Sequence, residues 1–213
     1  MNKFKPIIKL IILSVLAGIM IAFGALCNLL ALSLGYKLIG SLLFSFGLFF
    51  VILFELKLFT GMVAGACDMK PKEWYQLAVC FIFNAVGILL ICLITKEIAI
   101  SDKVIKQSIS IMNNKLDAGW TNALFSSMLC GMLITISVKG YQKSKERNLS
   151  SDIAVMLPVV VFVYLGVDHS VANWVYIFLS SSFNLDILVY VLLTIIGNII
   201  GGIFIPLCYK LIK

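Results

Sequence analysis

The chain has 213 residues, of which 62% are hydrophobic and 13% charged, with a mean hydropathy of +1.08. An ordinary soluble domain is roughly 45–50% apolar and about 25% charged. Seventeen basic and ten acidic side chains cannot clothe a soluble surface of this size, which excludes a soluble globular enzyme, a disordered chain and a nucleic-acid-binding domain; the net charge of +7 is read as membrane topology, because Lys and Arg gather on cytoplasmic loops.

Lys3, Lys5 and Lys9 open the chain, followed by a charge-free run from Leu10 to Tyr36. A signal-peptide apolar region is only about 7–15 residues long, so this run predicts a retained first membrane helix. A helix needs about 20 apolar residues to cross the hydrocarbon core. Charge-free stretches of that order are Leu10–Tyr36, Trp74–Thr95, Ala118–Val138 and Ile187–Tyr209. Two further regions are interrupted. Leu38–Phe54 is followed by Glu55 and Lys57, then is apolar again through Cys67. Ile153–Val167 is followed by Asp168 and His169, then is largely apolar through Leu185. Each predicts a broken helix, giving six spans in an all-α integral membrane protein.

With the N-terminus inside, the inner segments hold Lys3, Lys5, Lys9, Lys70, Lys72, Lys139, Lys143, Lys145, Arg147, Lys210 and Lys213, and the outer ones Lys37, Lys96, Lys103, Lys106 and Lys115. This bias predicts cytoplasmic N- and C-termini in the cell (inner) membrane. Trp74, Tyr75, Trp120 and Tyr209 fall at span ends, where amphipathic rings prefer the interface. Lys139–Arg147 is read as a basic loop that anchors this orientation. The six cysteines are scattered singly, without metal or redox spacing; they are read as small buried hydrophobes, with Cys67 beside Asp68 as the exception.

In each half, about 7–95 and about 118–210, the middle span is the broken one, and three spans per half make the second half enter from the opposite side. That pattern predicts one transmembrane domain of two inverted three-helix repeats. Interruptions at corresponding positions point to a midplane substrate site, because lipid cannot satisfy freed backbone groups. The breaks hold Glu55, Lys57, Thr60 and Gly61, and Gly166, Asp168, His169, Ser170 and Asn173. Half-helices starting near Thr60 and near His169 would aim positive dipole ends at the centre and favour an anion. Small residues (Ala17, Gly18, Ala22 and Gly24; Gly197, Gly201 and Gly202) predict close helix packing. His169, the sole histidine, is read as a proton-exchanging pore group. It has no partners for a metal site, and no G-x-S-x-G elbow or H-E-x-x-H pair is present; the expectation is no metal, no cofactor and no enzymatic activity.

Leu16-Ala-Gly-Ile-Met-Ile-Ala-Phe-Gly24, Leu58-Phe-Thr-Gly61, Asp168-His-Ser-Val-Ala-Asn173, Ile196-Gly-Asn-Ile-Ile-Gly-Gly202 and Lys115-Leu116, in that spacing, resemble the formate/nitrite transporter family. The resemblance implies an aquaporin-like six-helix protomer with broken second and fifth helices, assembled as a homopentamer with one anion path per protomer. By resemblance, His169 is the central pore histidine, Thr60 and Asn173 its hydrogen-bonding neighbours, and Lys115 the basic residue near the pore. Phe44 and Phe162 fit an outer constriction, and Leu48, Phe59 and Ile134 an inner one. The chain departs from the family pattern where Lys57 replaces a common glutamate, Asp168 replaces another, and Gly131 replaces an asparagine found in some members. Lys57 is expected either to strengthen anion attraction or to pair with Asp168. The implied cargo is a small weak-acid anion, formate first, with nitrite and hydrosulfide as alternatives, carried with protons past His169. The rival class is a permease or binding subunit that depends on a partner.

Overall fold

The computed structural model describes residues 5–146 and 150–212. Lys3, Arg147 and Lys213, counted above among the inner charges, lie outside the described residues. Nine α-helices and no strand occur among the described residues: α1 (Lys5–Ser33), α2 (Lys37–Leu53), α3 (Phe59–Val63), α4 (Tyr75–Thr95), α5 (Ser101–Asp117), α6 (Gly119–Glu146), α7 (Ser151–Leu165), α8 (Asn173–Ser180) and α9 (Leu185–Leu211). Two 3-10 turns, Ala66–Asp68 and Pro71–Glu73, join α3 to α4. Four helical segments are long and apolar enough to cross a membrane, at Lys5–Ser33, Pro71–Thr95, Gly119–Glu146 and Leu185–Leu211. These are the four uninterrupted runs of the sequence. The interrupted runs give a longer and a shorter piece each: α2 with α3, and α7 with α8.

Both breaks begin with a residue in the left-handed region, which ends a helix sharply. Glu55 follows α2 at φ 53, and Gly166 follows α7 at φ 76. The second break is longer than a half-helix starting near His169 would leave. α8 starts at Asn173, four residues beyond His169, because residues 167–169 are irregular and 170–172 form a turn before the helix re-forms. The peptide N–H of Asn173 donates to the His169 carbonyl at 2.9 Å, which closes the first turn of α8.

α1 packs along α2 and α4, α6 packs along α7 and α9, and α2 meets α7. The small residues set how closely these helices approach, as small-residue seams do in membranes. A Cβ on Gly24 would lie 2.7 Å from the Phe44 carbonyl oxygen, and one on Gly131 would lie 2.5 Å from that of Asn198. The departure at Gly131 therefore has a steric reason in this chain. Pro206 lies inside α9 and has no N–H to give to Gly202 four residues back. Thr135 on α6 supplies the missing donor, its Oγ1 donating to the Gly202 carbonyl at 2.8 Å, so the proline becomes a tie between α6 and α9.

Three details depart from the sequence reading. α6 continues through Glu146, so Lys139, Lys143 and Lys145 ride on a helix rather than in a loop. Cys80, Cys92 and Cys130 are buried, but Cys27 and Cys208 are exposed on faces where apolar residues such as Phe23 and Phe204 are also half-exposed. Such outward apolar faces suit a hydrocarbon surround. Finally, the outer segment that carries Lys103, Lys106 and Lys115, for which the sequence reading predicts no helix, forms the amphipathic helix α5. Its buried residues Val104, Ser108 and Met112 recur every fourth position, one stripe of a helix, and it packs against α8 and α1.

Candidate functional site

The two breaks are anchored by the same side-chain device. On α4, Asn84 accepts a hydrogen bond from the Phe59 N–H at 2.9 Å. Its Nδ2 donates to the Ser14 carbonyl at 2.7 Å and the Lys57 carbonyl at 2.9 Å. On α9, Asn198 accepts from the Ser170 N–H at 2.8 Å, and its Nδ2 donates to the Ser127 carbonyl at 2.7 Å and the Asp168 carbonyl at 3.0 Å. In each case one amide spans a break residue, the residue two positions before it, and the helix behind. The N–H of Lys57 reaches the Leu13 carbonyl at 3.3 Å, and the N–H of Asp168 reaches Ser126 Oγ at 2.9 Å. Both asparagines are buried, and each satisfies three backbone groups that lipid could not. The cost is that Phe59 and Ser170 amides, part of the dipole ends expected to face an anion, already have partners.

Between Lys57 and Phe59 on one side, and Asp168 and Ser170 on the other, the breaks hold Leu58 and His169 in place. His169 is 2% exposed and stacks on Phe162, with ring centroids 5.6 Å apart and planes 20° apart. Its Nδ1 accepts the Ala172 N–H at 3.0 Å, so in the neutral ring the proton resides on Nε2. Nε2 lies 3.0 Å from Thr60 Oγ1. The histidine is the donor in that bond, which leaves the threonine hydroxyl hydrogen available to a third group.

Two cavities approach this pair. The first, about 420 Å³, is lined among others by Asn28, Lys37, Phe44, Lys115, Asp168 and His169. The second, about 410 Å³, is lined among others by Leu48, Glu55, Lys57, Gly61, Lys139 and Gln142. Phe44 faces the first and Leu48 the second, one turn apart on α2. Those two positions are about 6 Å apart along the helix, at ~1.5 Å per residue. His169 itself borders the first cavity, and its partner Thr60 is buried and borders neither. Phe44 and Phe162 touch edge to face, 5.7 Å between centroids, and both border the first cavity. Leu48 borders the second, whereas Phe59 and Ile134 are buried and border neither; Phe59 packs edge-on against Phe81.

Lys115 stands in the last turn of α5 and forms a salt bridge with Asp168. Its side chain is 13% exposed against 2% for Asp168, so of the two, both of which line the first cavity, the ammonium is the more open to it. The same carboxylate oxygen accepts from the Tyr190 hydroxyl, which in turn accepts from Asn173 Nδ2 at 2.8 Å. Asn173 therefore turns its side chain to Tyr190 and touches His169 only through the backbone. Lys57 does not pair with Asp168. It is exposed on the second cavity, while Lys115 and Tyr190 both bond Oδ1 of that carboxylate. No group of three or more potential metal ligands occurs among the described residues.

Tyr190, Asn84 and α5 escaped the sequence reading, and Asn198 entered it only as part of a motif. The available signal was a lone polar residue inside an apolar span, as Asn84 is within Trp74–Thr95, since polar groups at that depth need partners.

Comparison with known proteins gives a consistent result. A family model described as formate/nitrite transporter matches residues 2–212. The chain is 28% identical to an uncharacterized transporter, YrhG, of Bacillus subtilis (strain 168), over 98% of this chain and 87% of that protein. It is 27% identical to a probable formate transporter of Methanothermobacter thermautotrophicus, over 98% and 89%. Among solved structures, it resembles a pentameric formate channel with formate bound (TM-score 0.79, 22% identity, 99% of both chains) and an FNT family ion channel (TM-score 0.82, 21% identity, 98% of this chain and 91% of that one).

Proposed function

The chain belongs to the formate/nitrite transporter family, and we propose that it passes formate across the cell membrane with proton-linked permeation at His169. It is a multi-pass membrane protein, a channel or transporter for formate-like anions and not an enzyme. The observation that carries the finer reading is the buried Thr60–His169 hydrogen bond beside the first cavity, with a second cavity reached one turn further along α2.

A bare anion in a low-dielectric wall costs many kcal/mol, whereas a neutral weak acid costs far less. Lys115, at the rim of the first cavity, draws the anion in. Between the two cavities, the free hydroxyl hydrogen of Thr60 is the donor an anion meets, and the Nε2–H of His169, donated to the threonine oxygen, polarises and aims it. Formate takes its proton on a carboxylate oxygen from hydronium in the first cavity, relayed through water while the Thr60–His169 pair holds the anion by hydrogen bonding; it crosses past Phe44, Phe162 and Leu48 as neutral formic acid and releases that proton to water in the second cavity. The imidazole keeps its own Nε2 proton throughout. Asp168, Tyr190 and Asn173 hold Lys115 and the start of α8 in position. Phe59 and Ile134 support the wall from behind.

The matched bonding of Asn84 and Asn198 supports two inverted three-helix repeats within one transmembrane domain. Likeness to a pentameric formate channel supports a homopentamer with one path per protomer. The lysine distribution supports cytoplasmic termini.

The test is anion flux in proteoliposomes holding the purified chain alone. Formate influx is expected to acidify the lumen, and formate is expected to outcompete nitrite, hydrosulfide, acetate and lactate. Absence of flux would favour a subunit dependent on a partner. An H169F variant that moved protons with formate at an unchanged rate and pH dependence would remove His169 from the mechanism.

A further inference from the structure

A third cavity, which shares Lys139 with the second, lies between the C-terminal ends of α6 and α9. It measures about 340 Å³ and is lined by Asp68, Lys139, Lys143, Ile205, Pro206, Tyr209 and Lys210. Its floor is apolar, made by Ile205 and Pro206, and its rim is basic. Lys210 is committed: its Nζ lies 2.8 Å from the Asp68 carboxylate and 2.8 Å from the Cys67 carbonyl oxygen. That pair cancels Asp68. Lys143 lies over the Tyr209 ring, 4.9 Å from its centroid. Lys139 and Lys143 meet no carboxylate within salt-bridge range among the described residues. The groove therefore presents two uncompensated ammonium groups above an apolar floor.

Its depth in the bilayer follows from helix length. α9 has 27 residues, about 40 Å at ~1.5 Å per residue, against a hydrocarbon core of about 30 Å. The last turns, with Pro206, Tyr209 and Lys210, thus reach the headgroup region, where tyrosine rings and lysines settle. The Thr135–Gly202 bond fixes α6 against α9 one turn before Pro206, so the groove is held open by a built contact. A basic pocket between membrane helices at this level suits the phosphate of a lipid headgroup.

We propose that this groove binds an anionic phospholipid, its phosphate between Lys139 and Lys143 and an acyl chain along Ile205 and Pro206. The test uses the full chain in a neutral detergent and reads the change in Tm on adding phosphatidylglycerol, phosphatidylcholine or inorganic phosphate. Phosphatidylglycerol is expected to raise Tm by about 5 °C near saturation, with phosphatidylcholine and inorganic phosphate inert. K139Q/K143Q should lose most of that shift, and K145Q, altering an exposed lysine outside the groove, should keep it. Because the ligand-induced shift is read within each variant, lower basal stability does not obscure the result. An equal shift from phosphatidylcholine would refute charge recognition. An equal shift from inorganic phosphate would make the site a simple anion site. A full shift in K139Q/K143Q, or equal loss in K145Q, would remove the groove from the explanation.

Discussion

Replacing Asn198 by alanine strips three partners at once from the break that carries His169. The Ser170 N–H, the Asp168 carbonyl and the Ser127 carbonyl all lose their bond, in a place where the side chain is 1% exposed and water is not at hand to replace it. Polar contacts inside membrane proteins average about 0.6 kcal/mol and reach about 1.7. Three of them amount to roughly 2–5 kcal/mol. At about 2–4 °C per kcal/mol for a chain of this size, Tm should fall by at least about 4 °C, read by circular dichroism in detergent. Two of the three bonds flank His169 directly, so its ring loses its fixed distance to Thr60, and formate flux in proteoliposomes should fall about tenfold, equivalent to about 1.4 kcal/mol in the barrier. Asn84→Ala should destabilise by a similar amount. The two amides share no partner, so the double variant should be additive within about 0.5 kcal/mol. An N198A protein with wild-type Tm and wild-type flux would refute the clamp.

Gly131→Ala forces a Cβ to within 2.5 Å of the Asn198 carbonyl oxygen and 2.8 Å of the Gly202 nitrogen; overpacking of this kind costs about 1–3 kcal/mol, whereas Gly61→Ala, whose Cβ finds nothing closer than 3.9 Å, should leave Tm unchanged. Tyr190→Phe removes the hydroxyl between Asn173 and Asp168 and should cost about 1–3 kcal/mol for the buried amide left unpaired, with reduced formate flux at low substrate concentration as the functional readout. Asp68, outside the spans, has its carboxyl pKa lowered, first by its hydrogen bond to Lys210 and then by that ammonium's charge. A depressed carboxylate contributes stability above its unfolded pKa and loses it as pH falls through the folded value. The Asp68→Asn difference in Tm should therefore be constant near neutral pH and vanish only below the ordinary carboxylate range, near 4; it should also be small, because exposed pairs contribute little.

Much of this molecule was legible in the chain. Hydropathy is a local property, so four spans and two interrupted ones follow directly from where charge is absent, and the helix ends in the structure fall within a few residues of them, except at the basic end of α6. Thr60, Asp168 and His169 stood out because polar groups are expensive at membrane depth. What the sequence could not supply were contacts between residues far apart in the chain, 53 positions for Lys115 and Asp168 and 109 for Thr60 and His169. Lys57 and Lys115 were both eligible partners for Asp168, and only the packing of α5 beside the second break brought Lys115 to it. The helical character of α5 itself was hidden because its buried stripe includes Ser108, so no apolar run announced it. The two asparagine clamps each look like a stray polar residue until the third dimension sets the break against them. Composition placed the chain in lipid; tertiary packing decided which polar groups satisfy one another there, and so which remain free to meet an anion.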